Sequence, residues 1–273
     1  MSRILSTAAT EFRIALRNRW VAIALALMAV FSLVLSLAGS APTGGLGVDR
    51  LSVIVASLTS LSVYLIPLLA LLMSFDAIAG ESERGTLSLL LAYPVAREEI
   101  LVGKLVAHLG ILVLAILLGH GLAAAVAVYS DAGAVAGLPA LWRLSWSSAL
   151  LGATFLGAGY ALSALSRRPS GAAGLAIGLW LGLVVLYDLA LLSAIVADNG
   201  GWFTTRAFPV ALLANPADAF RLYNLTASGA AAAAAGVGGA ADAIPLWQSL
   251  MSILVWPVAA LALAAASFRK VTP

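Results

Sequence analysis

Glu81, Ser82, Glu83, Arg84, Gly85 and Thr86 form the densest polar group in this sequence, and they lie between apolar runs. With Asp76 ahead of them and Arg97, Glu98 and Glu99 behind, this stretch holds five of the twelve acidic residues. Charges of both signs beside leucines suit docking, in which ion pairs surround an apolar contact. Nucleotide chemistry is not indicated here. Gly80-x-x-x-x-Gly85-Thr86 has the glycines of a phosphate-binding loop, but the lysine that reaches the phosphates is missing and no strand precedes it.

Asp188 is the one acid inside a long apolar run. An ionisable group within a bilayer is costly, about 2.5–3.5 kcal/mol on insertion scales, so it must face protein or a water-filled pathway. It lines a pathway, relays protons, or bonds a neighbouring helix near the interface. Gly174, Gly178 and Gly182 form a double GxxxG on the same run, a spacing that lets helices approach closely, within one protomer or across a dimer. At 100° per residue, Gly174 falls about 40° from Asp188.

Metal chemistry is poorly supplied. Cysteine is absent, and the methionines are Met1, Met28, Met73 and Met251. His108 and His120 are rotated by about 120° and separated by about 18 Å on one helix, so that helix cannot bring both to one ion. No metal site is assigned. Asn224-Leu225-Thr226 matches a glycosylation acceptor and is read as a chance match.

The elements that position these residues follow from composition. The chain is 62% hydrophobic and 10% charged over 273 residues, with mean hydropathy +1.05, which no single water-soluble core accommodates. A bilayer is the implied solvent, and helices the implied element, because each must satisfy its own backbone hydrogen bonds. Six segments are long and apolar enough: about 20–38, 51–74, 103–129, 144–166, 171–196 and 246–267. The first ends in Ser36-Leu37-Ala38, a small-x-small site, but its apolar length exceeds a signal-peptide core and it is read as an uncleaved span.

Eleven of the fifteen basic residues fall in residues 1–19, the second and fourth connections and the tail; Arg50, Arg143, Arg206 and Arg221 fall in the others. By the positive-inside rule both termini and the charged island face the cytoplasm. The pI near 9.5 is therefore a topological signal, and nucleic acid is not an expected partner.

Residues 1–19 read as an interfacial amphipathic helix, with Ile4, Leu5, Ala8, Phe12 and Leu16 on one side and Arg3, Ser6, Thr10, Arg13 and Arg17 on the other. Membrane lipid is its expected partner. Residues 20–273 form the six-span domain, with a cytoplasmic coupling region at 76–102 and a long periplasmic or re-entrant segment at 197–245. In that segment an Asn-Pro turn precedes a short helix, and Asn215, Pro216, Asp218, Phe220 and Arg221 are candidate contacts for an outer partner. In the coupling region, Glu81 to Arg84 sit at a helix start, Gly85 permits a turn, Thr86 caps a helix carrying Leu87, Leu90 and Leu91, and Pro94 ends it. Glu98 and Glu99 then begin another short helix.

The order Glu-x-x-x-Gly-Thr-Leu-x-x-Leu-Leu-x-x-Pro-Val-x-Arg-x-x-Ile-Leu-x-Gly-Lys, from Glu81 to Lys104, resembles the signature of ABC-2 type transport permeases. Six spans, an amphipathic N-terminal helix and an outer re-entrant element fit that family, and the resemblance covers nearly the whole chain. Asn215-Pro216 through Arg221-Leu222, with the overall length, are most similar to the permeases of systems that mature nitrous oxide reductase.

The resemblance implies an all-α protein of the bacterial inner membrane that pairs with a second copy of itself. It implies an ATPase dimer on the coupling helices and a periplasmic partner associated with copper supply. Glu81, Ser82, Glu83, Arg84, Gly85, Thr86, Arg97 and Glu98 fall in the implied docking region. ATP and magnesium belong to the partner ATPase; this chain binds no cofactor and is not itself an enzyme. Two mechanisms remain open, transport of a solute between protomers and mechanical transmission to the outer partner without transport. An intramembrane enzyme ranks behind both, since the His and acid clusters it needs are missing.

Overall fold

The computed structural model describes residues 2–16, 19–38, 50–227 and 244–271, and every regular element among them is helical. In order they are α1 (Ser2–Leu16), α2 (Arg19–Ala38), α3 (Arg50–Ser74), α4 (Ala79–Glu83), α5 (Thr86–Ala92), α6 (Arg97–Ser130) and a tight turn at Ala132–Gly137. There follow α7 (Leu138–Leu165), then α8 (Pro169–Trp180) and α9 (Tyr187–Asp198), joined by a wide π turn at Leu181–Leu186. A second wide turn at Phe203–Ala207 leads into α10 (Phe208–Ala214), α11 (Pro216–Thr226) and α12 (Leu246–Arg269).

Five helical stretches among the described residues are long and apolar enough to cross a bilayer: Arg50–Glu83, Arg97–Ser130, Ala132–Leu165, Pro169–Asp198 and Leu246–Arg269. The apolar part of α2, Val21–Leu37, is shorter. The Ala/Gly tract from 230 to 241 lies outside the described residues.

Local sequence explains the boundaries. Asp131 accepts from the Gly133 amide at 2.9 Å and opens the tight turn before α7. Pro169 and Pro216 each occupy a first-turn position, where the missing amide costs nothing. Gly85 adopts φ 71°, a left-handed conformation that reverses the chain between α4 and α5 without a Cβ clash.

α7 is the central post: α12 and α3 pack on it, while α6 carries α1 and α2. Gly157 of α7 lies close to the backbone of Ala260 in α12, where an added Cβ would come within 3.0 Å and the helices would have to move apart by a few tenths of an ångström. Leu58, Ile66, Leu144, Phe155 and Leu156 fill the core between these helices. The α8–α9 span is different. Ala172 and Ala176 face inward, but Leu175, Ile177, Leu189, Leu192 and Val196 are more than half exposed.

Candidate functional site

The structure holds two charged clusters, one at the start of α6 and one where α11 meets the α8–α9 span. The first is built on Lys104, near the start of α6. Its ammonium donates to Glu11 Oε1 of α1 and to Glu81 Oε1 of α4, each at 2.5 Å, and the lysine is 2% exposed. One buried cation thus ties together three helices separated in sequence. Such a pair is held by mutual attraction at low dielectric, and removing one member leaves the others stranded.

The short coupling helices hang on this anchor. Ser163 Oγ of α7 accepts from the amides of Ile78 at 3.0 Å and Ala79 at 2.9 Å, capping α4 from another helix. Glu81, Ser82 and Glu83 therefore close a short helix, where the sequence placed them at a helix start. Thr86 does not cap α5 through its side chain; its hydroxyl donates to the Glu81 carbonyl at 3.2 Å, and Gly85 holds the cap position. Leu87 is buried, while Glu83, Arg84, Gly85, Thr86 and Leu89 are exposed, so α4 and α5 present a mixed polar and apolar face.

Glu98 and Glu99 do not open a separate short helix, and Arg97 stands directly before them. Arg97, Glu98 and Glu99 begin the 34-residue α6, because nothing after Arg97 breaks the helix. Arg97 donates to the carbonyls of Phe268 and Val271, each at 2.6 Å, with its guanidinium over the Phe268 ring. Glu98 accepts from Arg269 at 2.8 Å. Both residues clamp the end of α12 to the start of α6, and Arg97 satisfies carbonyls that a helix C-terminus leaves open.

A cavity of about 610 Å³ lies between α1, α2, α3, α4 and α6. Glu11, Glu81 and Lys104 form its polar wall, and Val21, Leu72 and Met73 its apolar one.

The second cluster joins residues that the sequence treated separately. Arg221 of α11 donates to Asp188 at 2.9 Å and lies 3.4 Å from Asp218. Asn215 donates to Asp218 Oδ2 at 3.0 Å and to the Leu183 carbonyl at 2.7 Å, and accepts from the Ala217 amide at 3.0 Å. The Leu183 carbonyl lies in the π turn, where i to i+5 pairing disturbs the usual ladder and leaves an acceptor for Asn215. Burial pushes the Asp218 carboxyl up to about 8, the nearby Asp188 carboxyl adds to this, and Arg221 opposes it.

The π turn also changes the face geometry. It inserts about one residue of rotation, roughly 100°, between the glycines and Asp188. Asp188 meets Arg221, whereas a Cβ added at Gly174, Gly178 or Gly182 would meet nothing within 4 Å. Asn215, Pro216, Asp218 and Phe220 are buried, and α11 packs against α3, α7 and α12. They are therefore interior groups of this chain, which corrects their reading as an outer contact surface; Arg221 is partly exposed but engaged with both aspartates. Asn224 is likewise buried, its amide donating to Ser147 Oγ at 2.9 Å, which is no place for a glycan.

The histidines serve separate contacts. His108 Nδ1 lies 2.8 Å from the Tyr160 hydroxyl. His120 Nδ1 lies 2.9 Å from Ser145 Oγ, and because Ser145 donates to the Leu141 carbonyl, His120 is the donor of that pair. Among the described residues, no three His, Cys, Asp or Glu side chains are grouped to hold a metal ion.

Sequence reading missed Glu11 and Ser163 and gave Lys104 no role. Glu11 is the sole acid among residues 1–16, and that isolation is the one mark the sequence gives it. Ser163 carries no comparable local mark.

A family model described as ABC-2 family transporter protein matches residues 5–271. A protein of Pseudomonas aeruginosa named as a probable ABC transporter permease protein NosY is 43% identical over 276 residues, covering 99% of each chain. A relative of the same name from Stutzerimonas stutzeri is 40% identical over 274 residues, again covering 99% of each. With its several apolar helices, the chain is a multi-pass membrane protein that belongs to the ABC-2 family, as a permease subunit of an ABC transporter.

Proposed function

We propose that this chain is the six-span membrane subunit of a bacterial inner-membrane complex, with α2 as the first span and both termini in the cytoplasm. In this reading residues 1–19 lie on the inner leaflet, and α4 and α5, within 76–102, are coupling helices that receive a NosF-like ATPase dimer. Glu81 to Thr86 belong to that docking region, with Glu83, Arg84 and Thr86 on its exposed rim and Arg97 and Glu98, at the start of α6, bracing it against the end of α12. ATP and magnesium are bound by the ATPase, where hydrolysis takes place.

The carrying observation is the Lys104 anchor. A push on α4 moves Glu81, and the buried ammonium transmits the displacement to α1 and α6 together. A hydrated loop would shed such a load, because exposed ion pairs are weak. Two copies of the chain meet through the α8–α9 face, where Gly174, Gly178 and Gly182 leave room for close backbone approach.

Beyond the membrane, segment 197–245 faces the periplasm and engages a NosD-like protein, in the assembly of the copper sites of nitrous oxide reductase. Its interior groups at Asn215 to Arg221 connect that segment to the spans. Mechanical transmission is favoured over solute transport by one feature. Asp188, His108 and His120 are each held by a protein partner, which ties these three side chains into the fold. Transport of a sulfur species or copper complex, or export of an unrelated lipid or small molecule, is the competing reading.

Reconstituting the complex in vesicles tests this directly. ATP hydrolysis with a nucleotide-dependent change in the periplasmic protein, and no copper or sulfur uptake, is the expected outcome. ATP-dependent uptake identifies a transporter, and failure of any ATPase to assemble contradicts the coupling reading.

A further inference from the structure

α6 and α7 run antiparallel, because His108 of α6 meets Tyr160 of α7 at 2.8 Å and His120 meets Ser145 at 2.9 Å, so rising numbers on one helix match falling numbers on the other. Continuing that register past His108 and Tyr160 brings Ser163 to about the level of Lys104. At this level α4 bridges the two helices. Glu81 joins it to Lys104 of α6, and Ser163 Oγ of α7 accepts from the amides of Ile78 at 3.0 Å and Ala79 at 2.9 Å. The His108–Tyr160 contact closes the triangle about one turn further along both helices.

Ser163 differs from the other hydroxyls near it. Ser145, Ser147 and Thr154 of α7, and Ser166 just beyond it, each donate to the carbonyl four residues back, the local bond that a hydroxyl in a helix commonly makes. Ser163 Oγ serves two amides that lie 84 and 85 positions away. Ser163, Ile78 and Ala79 are all buried.

α4 has five residues, too few for a helix to persist alone, and turns flank it at 75–78 and at Gly85. A push on such a helix is spent in bending its turns unless one end is fixed. Two hydrogen bonds converging on one oxygen are directional, whereas the ion pair at Glu81 tolerates a change of angle. The start of α4 is therefore its fixed end, and Glu81 its moving one.

We propose that Ser163 is the pivot of α4, a positioning residue through which a load on the exposed rim of α4 and α5 reaches Lys104. This role rests on the reading of that rim as the ATPase docking surface. Glu83 and Arg84 lie about 6–8 Å along the chain axis from Ala79, at the rise of a helix. A load there turns α4 about Ser163, Glu81 moves with it, and Lys104 carries α6 and α1. Without the Ser163 hydroxyl, α4 still presents its rim but slides on α7, and the displacement is not passed on.

The full chain, assembled with its ATPase subunit in nanodiscs, provides the test. The chain has no cysteine, so Tyr129→Cys, at a 95% exposed position near the end of α6, gives one site for an environment-sensitive fluorophore. Ser163→Ala in this background is expected to capture the ATPase as the parent does and to lose most of the ATP-dependent fluorescence change. A full change in Ser163→Ala overturns the proposal, and so does a folded variant in which capture and signal fall together, since Ser163 then only shapes the docking surface. Hydrogen exchange on the unmodified complex decides the matter if the variant does not fold. The Ile78 and Ala79 amides are expected to stay equally protected with and without ATP, as a pivot requires. Exchange about tenfold faster in the ATP state, the change expected when such a bond opens, overturns the proposal. Capture without any ATP-dependent signal in the parent also overturns the pivot while leaving docking intact, whereas no capture by the parent contradicts the docking reading itself.

Discussion

Arg221 in α11 holds Asp188 of the α8–α9 span at 2.9 Å, joining a short buried helix to a span that otherwise makes few contacts inside the protomer. The two residues are 33 positions apart, and the π turn at Leu181–Leu186 is what rotates Asp188 towards its partner. Asp188→Asn keeps the shape and removes the charge, leaving Arg221 with Asp218 alone. The pair is about one quarter exposed, so the expected loss is moderate, about 1–2 kcal/mol. Hydrogen exchange in α11 is expected to rise about tenfold while the Lys104 cluster is unchanged. An unaltered α11 together with unaltered activity reduces Asp188 to a tolerated polar group.

The same cluster gives a pH dependence. Asp218 titrates near 8 when folded, against 3.8 for the free carboxyl, so the folded state favours its protonated form. Its contribution to stability is full below about pH 4 and is lost as pH rises towards about 8. The groups around it are Asp188, Arg221 and Asn215, with Tyr187 of α9 nearby, whose hydroxyl donates to the Ala211 carbonyl. Exchange of α11 amides, corrected for intrinsic rates, is expected to be faster at pH 9 than at pH 6, and Asp218→Asn is expected to flatten that difference.

Lys104→Met tests the anchor of the other cluster. Methionine fills similar space without charge, so Glu11 and Glu81 are left facing each other without their cation. Loss of one member of a buried ion group costs about 3–5 kcal/mol. Thermal unfolding in detergent is expected to show a marked fall for Lys104→Met. Arg84→Gln, which removes one side of an exposed 3.4 Å pair, is expected to change stability by less than about 1 kcal/mol. Equal stability of the two variants contradicts the structural rank given to Lys104.

Gly174 and Gly178 face open space in the protomer, so larger side chains there leave its fold intact. Gly178→Leu is expected to shift the purified chain from dimer to monomer by mass photometry while its melting temperature as a monomer is preserved. A persistent dimer moves the interface to another face.

What the sequence made legible was mostly what one helix can state by itself. The apolar runs marked where helices lie within a few residues, and Pro94, Gly85 and Pro216 marked where they stop or start. Pairings between helices were hidden. Lys104 meets Glu11 across 93 residues and Glu81 across 23, and no spacing rule links them. Asp188 and Arg221 were each singled out, yet they meet across a π turn that the run Leu181–Leu186 does not announce, since its leucines, valines and one glycine are ordinary residues of an apolar span. Arg97 and Glu98 fell in the docking motif, but their partners are backbone carbonyls and a side chain at the end of α12, which only tertiary packing brings close.

The exposed rim of α4 and α5 carries the central claim that this chain is driven by a docked ATPase. Copurification of the ATPase subunit with the unmodified chain, with Glu83→Lys and with Arg84→Glu is the most direct measurement, with membrane insertion checked in each case. Stable capture by the unmodified chain and a fall of about tenfold or more for the charge reversals, which place like charges across an interface, is the predicted result. Capture undiminished by either reversal removes these residues from the docking surface, and no capture by the unmodified chain contradicts the account.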